Sequence, residues 1–160
     1  MNGEQQLGMK IWVDADACPG EVKEIIVKAA LRVELVAIFV ANKGVRLPLS
    51  PFLMSVRVAQ GFDVADGHIV QGAQKGDLAV TADIPLAGLL VPKGVVVIDP
   101  RGELMNEHNI GERVAVRNLM QELRSAGTVS GGPAGYNARD KKRFASAFDA
   151  TLTRLMRATL

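Results

Sequence analysis

The order strand, helix, strand at the start of the chain is the feature that most constrains its fold. Residues 10–13 and 33–41 are short, rich in branched apolar residues and free of the alternation typical of half-solvated strands, so both are predicted to be buried strands. Residues 21–32 place Val22, Ile25 and Ile26 on one face and charged side chains on the other, which predicts an amphipathic helix. Such a helix between two buried strands forms a right-handed crossover, and the two strands must then be parallel.

The same alternation continues along the chain. Short strands are predicted at 56–59, 78–82 and 94–98, and helices at 67–74, 85–91, 110–125 and 138–157. The last two helices have apolar stripes made by Val116, Leu119, Met120 and Leu123, and by Phe144, Phe148, Leu152 and Leu155. A Gly-rich segment at 128–136 between them is predicted to be a mobile loop. The pattern predicts an α/β domain of three layers, α/β/α, with a mainly parallel sheet of about five strands and C-terminal helices.

Length and composition indicate one domain. The chain has 160 residues, with a polar, non-periodic leader at 1–8 and the domain at 9–160. No apolar run approaches the ~18 residues of a membrane span, so no membrane partner is expected. The single cysteine, Cys18, cannot form an internal disulfide, and no basic segment followed by an apolar run begins the chain. These features favour a cytoplasmic location.

Four carboxylates are predicted to meet at one edge of the sheet. Asp14 and Asp16 directly follow the first strand, Asp66 precedes the helix at 67, and Asp83 follows the strand ending at 82. In a parallel sheet flanked by helices, strand C-termini and helix N-termini share one edge, which is where ligands of open α/β sheets bind.

The same reasoning places two further acids at opposite edges of the sheet. Asp63 falls at the favourable edge, close to Asp66 in sequence. Asp77 precedes the strand at 78–82, which places it at the opposite edge, roughly 17–20 Å from Asp83. We therefore assign Asp77 to a turn and exclude it from the site.

Clustered carboxylates repel each other unless a cation or protons intervene. Mg²⁺ or Mn²⁺ suits such hard oxygen ligands, and the sequence has no Cys/His cluster with zinc spacing. Asp66 and Asp83 also have a simpler interpretation, as helix N-caps. Helix capping does not explain the pair Asp14 and Asp16, because at most one of them can cap the following helix. The pattern predicts a metal site with Asp63 as an additional ligand.

Four segments resemble the YaiI/YqxD-like family of bacterial proteins over about residues 9–155. They are IWVDADACP at 11–19, VAQGFDVAD at 58–66, GDLAVTADIPLA at 76–87, and GGP at 131–133 followed by Arg139-Asp140 and Phe144. That family resembles the PIN-like superfamily, whose members are mostly metal-dependent ribonucleases with a compact α/β/α fold. The resemblance implies a Mg²⁺- or Mn²⁺-dependent nuclease that hydrolyses RNA phosphodiesters.

By position, Asp14, Asp66 and Asp83 match PIN-like acids, and the resemblance implies that they are catalytic and metal-binding, together with Asp16. One departure concerns the second PIN carboxylate, because no acid lies between Glu34 and Phe62. Either Asp16 or Asp63 takes its place.

Positive charge is concentrated in the C-terminal third. Residues 110–160 carry nine basic and four acidic side chains, a net +5, whereas the rest of the chain is −3. The candidate nucleic-acid contacts are Lys43 and Arg46 after the second strand and the cluster Arg139, Lys141, Lys142 and Arg143. They are expected to contact RNA phosphates. The alternative is that they are ordinary solvated charges.

Two other functions fit parts of the pattern. Asp-x-Asp after a first strand also occurs in haloacid dehalogenase-like phosphatases, where Asp14 would be the nucleophile. Their later acids form a close pair, however, whereas Asp77 and Asp83 straddle a strand. A non-catalytic RNA-binding or scaffold protein would keep the fold and the basic tail without a complete metal site. Cys18 and His68 are more simply interpreted as a buried thiol and a surface histidine.

Overall fold

The computed structural model describes residues 8–61, 63–128 and 135–158. Residues 1–7 of the predicted leader and residues 129–134 of the predicted loop lie outside the described residues. Within the described ranges the chain forms six strands and five helices. The strands are β1 Ile11–Asp14, β2 Ala37–Ala41, β3 Leu53–Arg57, β4 Leu78–Val80, β5 Val96–Ile98 and β6 Leu104–Met105. The helices are α1 Gly20–Val33, α2 Val64–Gly72, α3 Ile84–Leu90, α4 Ile110–Ser125 and α5 Ala138–Ala158.

The strands form one sheet in the order β3-β2-β1-β4-β5-β6. The first five are parallel, and β6 is antiparallel to β5. The mainly parallel α/β sheet is therefore confirmed. The expected number of about five strands omits β6, which has only two residues and follows the tight turn at 99–102. A strand this short has no periodicity to detect.

Helices cover both faces of the sheet, which confirms the three layers. On one face, Ile11 and Val13 of β1 belong to a core with α1 and with Phe144 and Phe148 of α5. On the other face, Trp12 belongs to a core with α2 and α3. Successive residues of β1 point to opposite faces, as the period of a strand requires. None of the five described helices has the length and continuous apolar character that a membrane span requires.

Helix α2 begins earlier than predicted. It starts at Val64, so Asp66 lies in its first turn rather than ahead of it. Asp63 is the N-cap residue and has a left-handed backbone with φ of 63°, a conformation that Asp tolerates better than most residues. Asp63 and Asp66 nevertheless remain at the helix start and hence at the expected edge of the sheet.

Helix α4 has the predicted bounds, but its apolar stripe is not buried. Val116 is 51% exposed and Leu119 is 54% exposed. The helix packs against α3, where Val114 lies beside Gly88, rather than on the sheet. Helix α4 therefore packs on the outer side of the helical layer that contains α3, and most of its surface faces solvent.

Candidate functional site

The centre of the carboxylate edge is the junction of β1 and β4. These strands are parallel neighbours with Val13 opposite Val80, so Asp14 at the end of β1 lies beside Thr81. The carboxylate of Asp14 is buried, and its Oδ2 accepts a hydrogen bond of 2.8 Å from the Thr81 hydroxyl. Within the described part of the chain this hydroxyl is the one hydrogen-bond donor to the Asp14 side chain, which compensates poorly for the water that the carboxylate has lost.

Thr81 also fixes the position of Asp83. Its Oγ1 accepts a hydrogen bond of 3.0 Å from the backbone N–H of Asp83. Oδ1 of Asp83 in turn accepts from the backbone N–H of Leu86, at 3.0 Å, and caps α3. One hydroxyl group therefore contacts both acids, and the interpretation of Asp83 as a helix cap is confirmed.

The carboxyl groups of Asp66 and Asp83 are close enough to influence each other. Burial raises the pKa of Asp66, and the charges of Asp83, Asp14 and Asp63 raise it further, to about 7. Two carboxyl groups in contact are stabilised when they share a proton, which explains the direction of the shift.

The pKa of Asp14 is also raised. Burial is the main cause, and the charges of Asp83 and Asp16 add to it, whereas the hydrogen bond from Thr81 acts in the opposite direction. The acids predicted to share one edge are thus close enough to affect each other's ionisation.

Asp16 and Asp63 lie at the border of this cluster. Asp16 is exposed, in the short 3-10 turn Ala15–Ala17, and its Oδ2 accepts from the backbone N–H of Asn42 at 2.8 Å. Asp63 is exposed as well, and its side chain makes no capping hydrogen bond with α2. Asp16 therefore joins the ends of β1 and β2, whereas Asp63 acts on the cluster through its charge.

The metal-ligand geometry is incomplete. Across the described residues, no three carboxylate, histidine or cysteine side chains converge closely enough to share one ion. The donor set itself consists of carboxylate oxygens, which are the ligands that Mg²⁺ and Mn²⁺ prefer. The hydrogen bonds that Asp14 accepts from Thr81 and Asp83 accepts from the backbone of Leu86 occupy oxygens that a cation would use.

A cleft opens beside the acids. It has a volume of about 410 Å³ and lies between α2 and α3. Asp63 and Asp66 line one side, and Val70, Pro85 and Leu89 provide apolar walls. Leu89 is 58% exposed there. An apolar cleft next to charged groups suits a ligand that has both an apolar part and an ionic part.

The beginning of α5 lies at the same edge of the sheet. Tyr136, just before α5, donates its hydroxyl hydrogen to the carbonyl of Pro100 at 2.7 Å, and Arg101 forms an ion pair of 3.2 Å with the buried Asp140. A Cβ at Gly102 would lie 2.7 Å from the Arg143 carbonyl oxygen, so the turn and the helix are in direct contact. Because this turn follows β5, the start of α5 lies two strands away from β1, about 10 Å across the sheet.

The candidate nucleic-acid residues are exposed. The four on α5 are Arg139, Lys141, Lys142 and Arg143, and three of them line a shallow groove beside Gly102. Lys43 directly follows the Asn42 amide that binds Asp16, and Arg46 lies further along the same segment. Lys43 and the α5 residues thus belong to the carboxylate edge.

Asp77 occupies the opposite edge, immediately before β4. It is 3% exposed and accepts hydrogen bonds from the backbone N–H groups of Lys10 and Gln74 and from Nε1 of Trp12. These contacts show a structural role. The placement also removes the acid pair that a haloacid dehalogenase-like site would need.

Three residues of the site were missed in the sequence interpretation. Thr81, which lies in the Thr-Ala-Asp string, contacts Asp14. Arg57 ends β3 and donates a hydrogen bond of 3.3 Å to the carbonyl of Asn42. Arg101 forms an ion pair with Asp140 of α5. A threonine two residues before a helix-capping Asp is the signal that indicates Thr81.

Cys18 and His68 fit their simpler interpretations. Cys18 is buried, and burial raises the pKa of its thiol to about 12, so it is not a reactive thiolate. His68 is exposed on α2, with its ring centroid 6.3 Å from that of Trp12.

The raised pKa of Asp66 predicts a pH dependence of stability. The folded chain holds a proton on Asp66 up to about pH 7, whereas the unfolded chain releases it near the ordinary pKa of 3.8. The unfolded state therefore binds fewer protons between these values, and the free energy of unfolding falls as pH rises through this window. We expect Asp66→Asn to reduce this loss of stability with rising pH. At pH 8 the melting temperature of the metal-free variant should be a few degrees above that of the wild type, which corresponds to a gain of ~1 kcal/mol in the free energy of unfolding. Thermal unfolding from pH 4 to pH 8 in a chelator measures it, and an unchanged pH profile would contradict the assignment.

Comparison with known proteins places the chain in a family. The model of the family described as "Uncharacterized BCR, YaiI/YqxD family" matches residues 12–154. A UPF0178 protein of Myxococcus xanthus is 60% identical over 149 residues, covering 93% of this chain and 97% of that protein. UPF0178 proteins of Maridesulfovibrio salexigens and Trichlorobacter lovleyi are 54% and 53% identical, covering 91% and 93% of this chain and 97% of each relative. The chain therefore belongs to the YaiI/YqxD family.

Proposed function

We propose that this protein is a divalent-metal-dependent phosphodiesterase that cleaves RNA at the carboxylate edge. The observation that supports the proposal most is the proximity of the Asp14, Asp66 and Asp83 carboxyl groups, because burial together with the charges of Asp83 and Asp14 raises the pKa of Asp66 to about 7. A cluster in which one carboxyl group keeps its proton up to nearly neutral pH has a repulsion between charges that a bound cation would relieve. The resemblance to PIN-like ribonucleases points to the same chemistry.

Asp14, Asp66 and Asp83 would hold Mg²⁺ or Mn²⁺, with Asp16 and Asp63 at the border of the site. When bound, the cation would supply Lewis-acid stabilisation of phosphate charge and a water of lowered pKa. For this the Asp14 carboxylate would turn from Thr81, and Asp66 would release its proton.

The chain's own residues supply the rest of the binding energy. Thr81 keeps the backbone of Asp83 in place beside Asp14, and the capping of α3 keeps the Asp83 side chain at the edge. The basic residues at the start of α5 attract the phosphates that flank the bond to be cleaved. The cleft between α2 and α3 offers apolar walls for a sugar or base next to that bond.

Two measurements test the proposal together. Mn²⁺ binding is measured by calorimetry on the full chain at pH 7.5, and cleavage of a labelled single-stranded RNA is followed with Mn²⁺, with Mg²⁺ and in a chelator. We expect saturable Mn²⁺ binding and cleavage that stops in the chelator. RNA binding without Mn²⁺ binding or cleavage would instead favour the non-catalytic RNA-binding function on this fold.

The basic residues of α5 predict a salt dependence. We expect the triple variant with Lys141, Lys142 and Arg143 replaced by Gln to bind RNA more weakly. Each phosphate of a single strand that the protein no longer neutralises lowers the slope of log affinity against log salt by about 0.7, so the slope should fall by up to roughly 2. Mn²⁺ affinity should stay the same, because these side chains are not ligands. RNA binding is measured by fluorescence anisotropy at salt concentrations from about 50 to 300 mM, a range wide enough to determine the slope.

A matched control replaces basic residues away from the carboxylate edge. Lys28 and Arg32 lie in the later part of α1, and Arg32 pairs with Asp149 at 3.1 Å between exposed side chains. The variant with Lys28 and Arg32 replaced by Gln should keep the wild-type slope. Equal slopes in the α5 variant and the wild type would mean that the α5 charges are a solvated face.

A further inference from the structure

Helix α4 presents an apolar face that none of the described residues 8–61, 63–128 and 135–158 covers. All sixteen of its residues are described, and none of them is buried. Val116 and Leu119 are about half exposed, and Met120 and Leu123 are partly exposed. These four residues form the stripe that the sequence predicted. Apolar residues concentrated on one face of a helix, instead of scattered singly, indicate an interaction surface.

The charges beside this stripe are sorted by sign. At roughly 100° of rotation per residue, the four apolar side chains fall within an arc of roughly 100°. Arg113, Arg117 and Arg124 lie roughly 70–110° to one side of its midline. On the other side, Glu122 lies roughly 110° from the midline, and Glu112 lies roughly 30° from it, at the N-terminal end of the stripe. Arg113 pairs with Glu103 at 2.5 Å within the chain, so the basic side that a partner meets consists of Arg117 and Arg124.

This sorting makes the face complementary to itself in one orientation only. Two identical helices packed in parallel around a two-fold axis place the basic side of each against the acidic side of the other. Packed antiparallel, they place Arg against Arg and Glu against Glu, and like charges in contact disfavour association. Glu112 and Arg117 are five positions apart, the separation at which flanking residues of parallel paired helices meet across the seam.

We propose that α4 is a dimerisation helix, which pairs in parallel with α4 of a second copy of this chain. Val116, Met120 and Leu123 form the seam, Leu119 packs at its border, and Glu112 of each copy pairs with Arg117 of the other. Arg117 has an exposed hydrogen-bond partner in Asn118 at 3.2 Å, which a solvent-facing side chain exchanges readily.

The proposed geometry has two consequences. A two-fold axis along α4 leaves the carboxylate edges of both copies at the same end of the dimer. A seam of about two helical turns is smaller than a standard interface of ~1,600 Å², so we expect a dissociation constant in the micromolar range or weaker. The proposal does not depend on the function of the carboxylate edge.

The first test perturbs the seam. Sedimentation equilibrium of the full chain from about 5 to 500 μM, which brackets such affinities, should show a monomer–dimer equilibrium. Val116→Glu should weaken it at least about tenfold, as expected when charge is buried at an interface. Leu49→Glu changes a fully exposed leucine outside α4 and should have no effect. A monomer over the whole range, or a dimer that Val116→Glu leaves intact, would overturn the proposal.

The second test exchanges charges. In a dimer of the Arg117→Glu variant, the new Glu of each copy lies opposite Glu112 of the other copy. In a dimer of the Glu112→Arg variant, the new Arg of each copy lies opposite Arg117 of the other. Both contacts join like charges, so each variant should dimerise more weakly than the wild type. An equimolar mixture of the two single variants should restore dimerisation, because the heterodimer has both pairs with opposite signs. Two variants that stay monomeric when mixed, with helix content unchanged by circular dichroism, would exclude the parallel pairing.

Discussion

Asp83→Asn is expected to reduce metal-dependent RNA cleavage at least about 100-fold while the fold stays intact. Substituting a residue that only hydrogen-bonds to a metal ligand typically reduces activity about 10- to 100-fold, so loss of a ligand should have a larger effect. The substitution removes one negative charge from the cluster and leaves a weaker, neutral oxygen donor for the cation. Asn is as good an N-cap residue as Asp, so the hydrogen bond to the backbone N–H of Leu86 is kept.

The comparison with Asp83→Ala separates charge from capping. Ala removes the charge and the cap, so it should also destabilise the fold by about 1 kcal/mol. Asp149→Asn is the matched control, because Asp149 is an exposed acid on α5 whose ion pair with Arg32 is worth little. Cleavage rates under single-turnover conditions and melting temperatures are measured for all three variants. Full activity in Asp83→Asn would remove Asp83 from the catalytic centre.

The position of the acids along the sheet is the part of the site that was predictable. The polarity of a strand and of the helix that follows it is set by covalent order, so residues after a strand and residues at a helix start reach the same edge. This reasoning places Asp14 and Asp83 together and Asp77 at the opposite edge, as the structure shows. It holds even though α2 begins at Val64 rather than at 67.

Lateral contacts were less predictable, because they depend on which strands become neighbours. Thr81 meets Asp14 only because β4 pairs with β1, across 67 positions of sequence. The contact of α5 with the turn after β5 likewise depends on Gly102, where a side chain would collide with the helix backbone. The spacing of Thr81 before the helix-capping Asp83 is a local pattern, but neither the contact with Asp14 nor the contact at Gly102 leaves one.

Helix α4 shows a different limit of sequence interpretation. Its periodicity predicts an apolar face and fixes the bounds of the helix, but periodicity does not say what covers that face. Phe144 and Phe148 of α5 are almost fully buried, whereas Val116 and Leu119 of α4 are exposed. Both stripes have helical spacing, and the difference arises from the layer against which each helix packs.

Asp77→Ala is expected to lower the free energy of unfolding by about 3–5 kcal/mol, because three hydrogen bonds to one buried carboxylate are removed. Asp77 accepts from the backbone N–H groups of Lys10 and Gln74 at 3.0 and 2.9 Å and from Nε1 of Trp12 at 3.0 Å. The Trp12 donor is buried and is left without its acceptor, which adds a desolvation cost. A change of this size is large against the total of about 5–15 kcal/mol of a typical domain, and it should lower the melting temperature by about 6–20 °C.

Asp77→Asn separates this structural role from metal binding. The amide oxygen still accepts, but the NH₂ group faces one of the three donors, so the destabilisation should be smaller than for Ala but measurable by urea unfolding. Mn²⁺ affinity of the folded Asp77→Asn protein should equal that of the wild type, because Asp77 lies at the start of β4 and the candidate ligand Asp83 lies beyond its end. Weaker Mn²⁺ binding in this variant would contradict the separation of the two edges, and a destabilisation below about 1 kcal/mol in Asp77→Ala would show that water replaces the carboxylate at no cost.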